Sequence, residues 1–351
     1  MNLSTPQEEI VNTTAKEVVV AAAAASGKTA TLVARTKHLL DQGVDPTKIV
    51  VITFTNAAAE EIAERLGKPK GLFVGTIHSY ANYLLLSRGQ DTQDLIEEEQ
   101  FDKLFNRIKH NPECLRHVEH LLLDESQDSN EAHFEFLLDM IKPDNYMLMG
   151  DWRQSIYRWN GAYPDYLVAL TRRPSVVTYE LNENYRNGDR ILMFAKNIIR
   201  TAGYEYEDRS YPMRGVSGKV TEVEYSPIAI ARTIKQYTNY GEWFVLTRTN
   251  AQLDEIAYYL TKEGVPNDTF KRSELDNKEL AEKMKQNTVK VLTIHTSKGL
   301  EANNVVVIGA KFFNVEEKCV SYVAATRARN HLVWTRMPNK RYNSGTSNWE
   351  R

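Results

Sequence analysis

Two cysteines in 351 residues, Cys114 and Cys319, are too few for a disulfide framework and fit no close metal-ligand spacing. They read as reduced thiols. Long apolar runs are missing too: the longest, residues 18–25, is far too short to span a bilayer. Residues 1–16 are polar and lack the apolar core of a signal peptide. A cytoplasmic chain with no membrane partner is expected. Excess charge of either sign is absent, with 44 Lys and Arg against 46 Asp and Glu and a formal net charge of −2. A whole-molecule basic field is therefore excluded, and nucleic acid could be held only by a local groove. Repeats, low-complexity tracts and a Pro/Gly-rich linker are all absent. What remains is a hydrophobic fraction of 42% and a charged fraction of 26%, as in soluble proteins with real cores. The length suits two domains.

Short β-branched and aliphatic runs recur along the whole chain, each ending in small or polar residues. They include Val18-Val19-Val20, Ile49-Val50-Val51-Ile52, Leu72-Phe73-Val74, Leu121-Leu122-Leu123, Tyr146-Met147-Leu148-Met149 and Val176-Val177. In the second half they are Trp243-Phe244-Val245-Leu246, residues 289–294, Val305-Val306-Val307-Ile308 and Leu332-Val333-Trp334. Runs of this kind suit strands buried on both faces. Helix-like stretches lie between them, at 57–66, 131–140 and 253–260. Strands alternating with helices predict an α/β architecture with parallel sheets. Pro174 interrupts the pattern and marks a candidate boundary. The highly charged stretch 267–287 reads as a solvated helix or loop.

Two motifs carry chemistry. Ser26-Gly27-Lys28-Thr29 directly follows an apolar strand. A strand–loop–helix of this type aims backbone N–H groups and a helix N-terminus at phosphates. Lys28 would neutralise the β/γ-phosphates and the Thr29 hydroxyl would hold Mg²⁺. The competing reading is an ordinary helix start with a chance Gly-Lys-Thr, which the flanking strand and helix disfavour. The second motif is Leu121-Leu122-Leu123-Asp124-Glu125-Ser126-Gln127-Asp128. Carboxylates at the end of a buried strand are costly unless they hold a cation or a proton. Asp124 would bind Mg²⁺ through water, and Glu125 would polarise an attacking water. An acidic capping turn would suffice if this motif stood alone; a phosphate loop upstream supplies the other half of a nucleotide site.

Asp124-Glu125-Ser126-Gln127-Asp128 resembles the helicase box of the UvrD, Rep and PcrA group of superfamily-one helicases. Further boxes match in the family's order. They are Leu3-Ser4-Thr5-Pro6-Gln7, Thr53-Phe54-Thr55-Asn56-Ala57, Gly75-Thr76-Ile77-His78-Ser79 and residues 150–159, Gly-Asp-Trp-Arg-Gln-Ser-Ile-Tyr-Arg-Trp. Asn184-Tyr185-Arg186, Val245-Leu246-Thr247-Arg248-Thr249-Asn250, His295-Thr296-Ser297-Lys298-Gly299-Leu300-Glu301 and residues 322–328 follow. The resemblance implies ATP and Mg²⁺ as cofactors. It also implies two RecA-like P-loop domains, at 1–178 with a short helical insertion near 82–118 and at 179–351 with a reduced insertion near 267–287. Gln7 would read the adenine, Tyr185 would stack on it and Glu301 would accept a hydrogen bond from the ribose. Ala25, Ser26, Gly27, Lys28 and Thr29 would cradle phosphates, with Thr29 and Asp124 on Mg²⁺. Gln154 would sense the γ-phosphate, and Arg186 and Arg327 would act as arginine fingers in cis. Phe54, Thr55, Asn56, Thr76, His78, Tyr157, Trp159 and His295 would contact DNA. Tyr157 and Trp159 are expected to share one face of an extended segment, where bases stack regardless of sequence.

Three departures from the family stand out. Ala23 and Ala25 replace glycines in the phosphate loop, which predicts either negative φ at both positions or weakened ATP binding. Asn160 stands where many relatives have a second arginine. The intervals from His78 to Asp124 and from Arg248 to Lys290 are too short for the usual accessory domains. These features predict a near-minimal, monomeric ATP-driven motor on single-stranded DNA, moving 3′ to 5′, with tailed duplex DNA as a further partner. The compact size fits a phage or mobile-element source and a bacterial or phage-infected cell. Two alternatives stay open. One is a translocase that does not unwind. The other is an ATPase or DNA-binding subunit of a nuclease, replication, repair or defence complex.

Overall fold

The computed structural model describes residues 3–98, 100–203, 206–271 and 282–337. Its first half is a sheet of strands β1 (Glu17–Ala22), β2 (Ile49–Ile52), β3 (Phe73–Gly75), β4 (His120–Leu123), β5 (Asn145–Gly150) and β6 (Val176–Leu181). All pair in parallel, in the spatial order β3-β2-β4-β5-β1-β6. Val18, Val20 and Ala22 of β1 enter one core while Val19 enters the opposite one, so the strand is apolar on both faces as its sequence demands. Helices α1 (Thr5–Asn12), α2 (Lys28–Asp41) and α3 (Asn56–Leu66) belong to this half. The interval 82–118, where an insertion was expected, takes in the end of α4 (Ile77–Leu86) and the short helices α5 (Gln93–Glu97) and α6 (Asp102–His110). Their apolar residues Leu84, Leu95, Leu104, Phe105 and Ile108 join the core beneath the sheet rather than building one of their own. Strand β6 runs past the expected boundary at residue 178, so the first sheet ends at Leu181.

After the chain leaves this sheet, β7 (Glu183–Asn184) pairs with β8 (Tyr211–Pro212). The second large sheet contains β9 (Lys219–Glu224), β10 (Trp243–Thr247), β11 (Asn267–Phe270), β12 (Val289–Thr293), β13 (Ala302–Ile308) and β14 (Ala328–Arg336). It is parallel throughout, in the order β11-β12-β10-β13-β14-β9. The stretch 267–287 thus does not begin as a solvated loop. Asn267–Phe270 is the edge strand, its register fixed by Phe270, whose side chain is wholly buried; residues 272–281 lie outside the described residues. Helices α7 (Glu131–Phe134) and α8 (Asp165–Leu170) complete the first half. The second half carries α9 (Asp189–Arg200), α10 (Pro227–Lys235), α11 (Asn250–Lys262) and α12 (Val315–Ala325). Ala24, Ile156 and Tyr157 pack into one apolar cluster with α9, α12 and β13, which joins the two halves. Among the described residues no helix is long and apolar enough to cross a membrane. Both cysteines are buried and unbridged.

Candidate nucleotide cleft and nucleic-acid track

In parallel sheets ligands gather beyond the carboxyl ends of the strands. β4, β5 and β1 lie side by side, so the segments that leave them meet: Asp124 and Glu125 after β4, Gln154 after β5, and residues 23–29 after β1. A cavity of about 640 Å³ opens there. Residues 25–29, Gln7, Glu125 and Gln154 line it from the first half, and Tyr185, Arg186, Lys298, Glu301 and Arg327 line it from the second. It therefore gathers every residue expected at the nucleotide except Asp124, which sits just behind Thr29.

The loop geometry is set locally. Gly27 caps α2 at φ +83°, a left-handed conformation that glycine adopts without strain. A Cβ at Gly27 would lie 2.6 Å from Gln7 Nε2. That amide donates to the Ser26 carbonyl at 3.1 Å, while Gln7 Oε1 accepts from Ser4 N in the capping box of α1. Gln7 is thus tied to the phosphate loop itself. The expectation of negative φ at Ala25 is overturned: Ala25 has φ +57°, so the loop retains a glycine-like turn despite its methyl group. Its carbonyl accepts from Tyr185 N at 3.1 Å, which ties the bend to the far wall of the cavity. A left-handed alanine costs about 1–2 kcal/mol.

The acidic pair is well placed for a cation. Thr29 Oγ1 donates to Asp124 Oδ2 at 2.8 Å, so two of the oxygens assigned to Mg²⁺ already touch. Burial, reinforced by the Glu125 charge, pushes the Asp124 carboxyl up. Burial pushes Glu125 the same way, but Lys28 and Lys298 outweigh it and hold this carboxyl below its usual range. Lys28 Nζ lies 3.7 Å from Glu125. Glu125 is itself left-handed, φ +51°, a conformation that costs a non-glycine residue on the order of 1–3 kcal/mol and aims the side chain into the cleft. Ser26 Oγ is buried with no hydrogen-bond partner among the described residues. An orphaned hydroxyl on a loop that leads into the N-terminus of α2 fits an anion, and the residues present fit Mg-ATP.

Three cations reach the cleft from the second half. Arg327 is buried and donates to Gln154 Oε1 at 3.2 Å and to the carbonyls of Val323 and Leu300. Burial and the neighbouring Arg186 disfavour its charge, so an anion between the two arginines would relieve the strain. Arg186 and Arg329 both pair with Glu301, the residue expected at the ribose. Lys298 pairs with Asp128 and donates to the Gln154 carbonyl at 3.0 Å. Asp128 and Lys298 lie within the family-like boxes, yet neither was expected at the cleft. A lysine in a buried box opposite a third carboxylate was the signal.

The residues expected on DNA form a separate group. Thr55 and Thr76 cap α3 and α4, accepting from Ala58 N and Ser79 N, both at 3.2 Å; Asn56 is exposed beside Thr55. His78 stacks on Phe105 at 5.4 Å. The segment of Tyr157 and Trp159 is not extended: Arg158–Asn160 is a 3₁₀ turn. The two aromatics therefore part company. Tyr157 is 6% exposed, stacked on Phe54 at 5.0 Å and 6.2 Å from His295, whereas Trp159 is 65% exposed. Trp159 thus presents an exposed ring, with Tyr157 6.3 Å from it on the buried side.

The family model of the UvrD/REP helicase N-terminal domain matches residues 3–113 and 91–175, and that of the UvrD-like helicase C-terminal domain matches 267–338. A probable DNA helicase II homolog of Mycoplasma capricolum is 23% identical over 69% of this chain and 48% of its own length. The ATP-dependent DNA helicase Rep of Buchnera aphidicola is 29% identical over 57% of this chain and 33% of its own length. Rep of Escherichia coli is 24% identical over 76% and 55%. The chain spans about half or less of the length of these relatives.

Proposed function

Because the chain belongs to the UvrD/Rep family of DNA helicases, we propose that it is a DNA-stimulated ATPase that travels 3′ to 5′ along single-stranded DNA. The observation that carries this reading is one cleft shared by two sheets, with Lys28 and Glu125 on one wall and Arg186 and Arg327 on the other. In such a cleft, hydrolysis and relative movement of the two RecA-like bodies are one event. Lys28 and the loop N–H groups would hold the β- and γ-phosphates, with adenine between Tyr185 and Gln7. Mg²⁺, held by Thr29 and Asp124, would neutralise phosphate charge. Glu125, kept ionised by its lysines, would accept a proton from the attacking water. Arg327 and Arg186 would stabilise the charge that develops, with Gln154 holding Arg327 in place. The test is ATP turnover with and without oligothymidylate. Stimulation by DNA and its loss in Lys28→Ala are expected; a DNA-independent rate would overturn the motor reading.

One observation favours translocation over strong unwinding. Among the described residues, the interval between His78 and Asp124 holds α4 to α6, packed into the sheet's own core, and no separate body to engage duplex DNA. Displacement of streptavidin from a biotinylated single strand is expected to exceed separation of a tailed duplex by the same chain.

A further inference from the structure

On the single-strand reading, each half needs its own hold on the strand, since a stepping motor must keep one grip while it moves the other. The first half offers Trp159; from the second, only His295 was legible. β10, β12 and β13 are neighbours and parallel, so the segments that leave them share an edge. His295 follows β12, and Gly309-Ala310-Lys311-Phe312-Phe313-Asn314 follows β13. Both ends of the latter loop are pinned. The Lys311 carbonyl accepts from Ser321 Oγ at 2.8 Å, and the Asn314 side chain caps α12 by accepting from Glu317 N at 2.8 Å. Phe312 leans against Trp334, with centroids 6.0 Å apart. Phe313 does not turn inward: at 73% it is the most exposed large apolar side chain among the described residues, with Lys311 Nζ 5.7 Å from its ring centroid.

This tip leaves the same edge of the sheet as the His295 segment. Glu317 is bound by Arg248 at 2.7 and 3.0 Å, and the charges of Lys311 and His295 help to hold its carboxyl below the usual range. His295 leads on to Tyr157 and thence to Trp159, 6.3 Å from Tyr157. A rigidly held exposed ring beside an ammonium group suits one nucleotide, a base on the ring and a phosphate on the cation. It is much too small for a stable protein interface, which takes about 800 Å² per side.

We propose that Phe313 and Lys311 are the second half's grip on single-stranded DNA, Phe313 stacking on a base and Lys311 meeting the adjoining phosphate. The experiment uses the full chain and a fluorescent oligothymidylate, read by anisotropy across a salt series. Phe313→Ala is expected to weaken binding about tenfold. Phe313→Trp should bind as the parent chain does, and both should melt at its temperature. Lys311→Gln should lower the slope of log affinity against log salt by about 0.7. Phe313→Ala within twofold of the parent, while Trp159→Ala binds weakly, overturns the proposal and leaves the motor reading intact. A parent chain that does not hold the oligonucleotide overturns both.

Discussion

Gly27→Ala perturbs the phosphate loop in a way whose size can be worked out. Gly27 sits at φ +83°, where an L-residue costs about 1–2 kcal/mol. The added Cβ would also lie 2.6 Å from Gln7 Nε2. The amide must move and give up its 3.1 Å bond to the Ser26 carbonyl, a loss of about 1 kcal/mol net. Together these disfavour the loop by about 2–3 kcal/mol, or roughly 30–150-fold in affinity for a fluorescent ATP analogue titrated at equilibrium without DNA. In a Gln7→Ala background the clash and the bond are already gone. Gly27→Ala should then cost only the left-handed strain, roughly 5–30-fold, leaving a coupling of about 1 kcal/mol in the double-mutant cycle. An equal loss in both backgrounds would refute the assignment of Gln7 as a prop for the loop. A loss under about threefold in the parent chain would refute the strain itself.

Three other perturbations have defined signs. Lys298→Met would strand Asp128, whose side chain is fully buried, at a cost of about 3–5 kcal/mol in unfolding free energy. Adding Asp128→Asn should recover much of it in thermal melts, whereas additive losses would show that the pair does not interact. Hydrogen bonds from Arg248 hold Glu317 below its ordinary value of 4.5, so its contribution is present above that pH and is lost as pH falls through the lowered value. Denaturant titrations should find the parent more stable than Glu317→Gln by about 1–2 kcal/mol near neutrality. The gap should close on acidification, and a widening gap would be the wrong sign. Trp159→Ala should weaken oligothymidylate binding about tenfold with little change in melting temperature. Tyr157→Ala should instead destabilise the fold by about 3 kcal/mol, because only Tyr157 is buried. Equal effects of the two on stability would contradict their placement.

The central strands were legible because burial on both faces leaves nothing but apolar side chains, as in Val18-Val19-Val20 and Val305-Val306-Val307-Ile308. β9 and β11 were not. Lys219–Glu224 is a half-exposed edge that alternates with charge, and Asn267–Phe270 is polar for three of its four residues. Their pairing is decided by β14 and β12, which no local pattern reports. The residues that line the cleft were legible because each motif is contiguous and its chemistry is tied to residue type. The aromatic group was legible in membership and misread in geometry. Tyr157 is buried by Phe54 and His295, both far from it in sequence, and a 3₁₀ turn separates its direction from that of Trp159. Ala25 was misjudged because its backbone is bent by its surroundings, including the bond from Tyr185 N, rather than by its own preference.

Gln154 is where the two groups of residues meet. Its amide donates to Asp151 at 2.8 Å and accepts from Arg327, and its backbone carbonyl accepts from Lys298. The Lys298 ammonium also lies 5.2 Å from the Tyr157 ring centroid. Tyr157 is three residues beyond Gln154 and carries the turn that presents Trp159. If a γ-phosphate draws Arg327 or Lys298, Gln154 loses or shifts a partner, and the displacement reaches Tyr157 both through the chain and through the lysine. A close-packed core passes such a shift on rather than absorbing it. Tyr157, held between Phe54 and His295, would then pass the shift to the exposed indole of Trp159, 6.3 Å away.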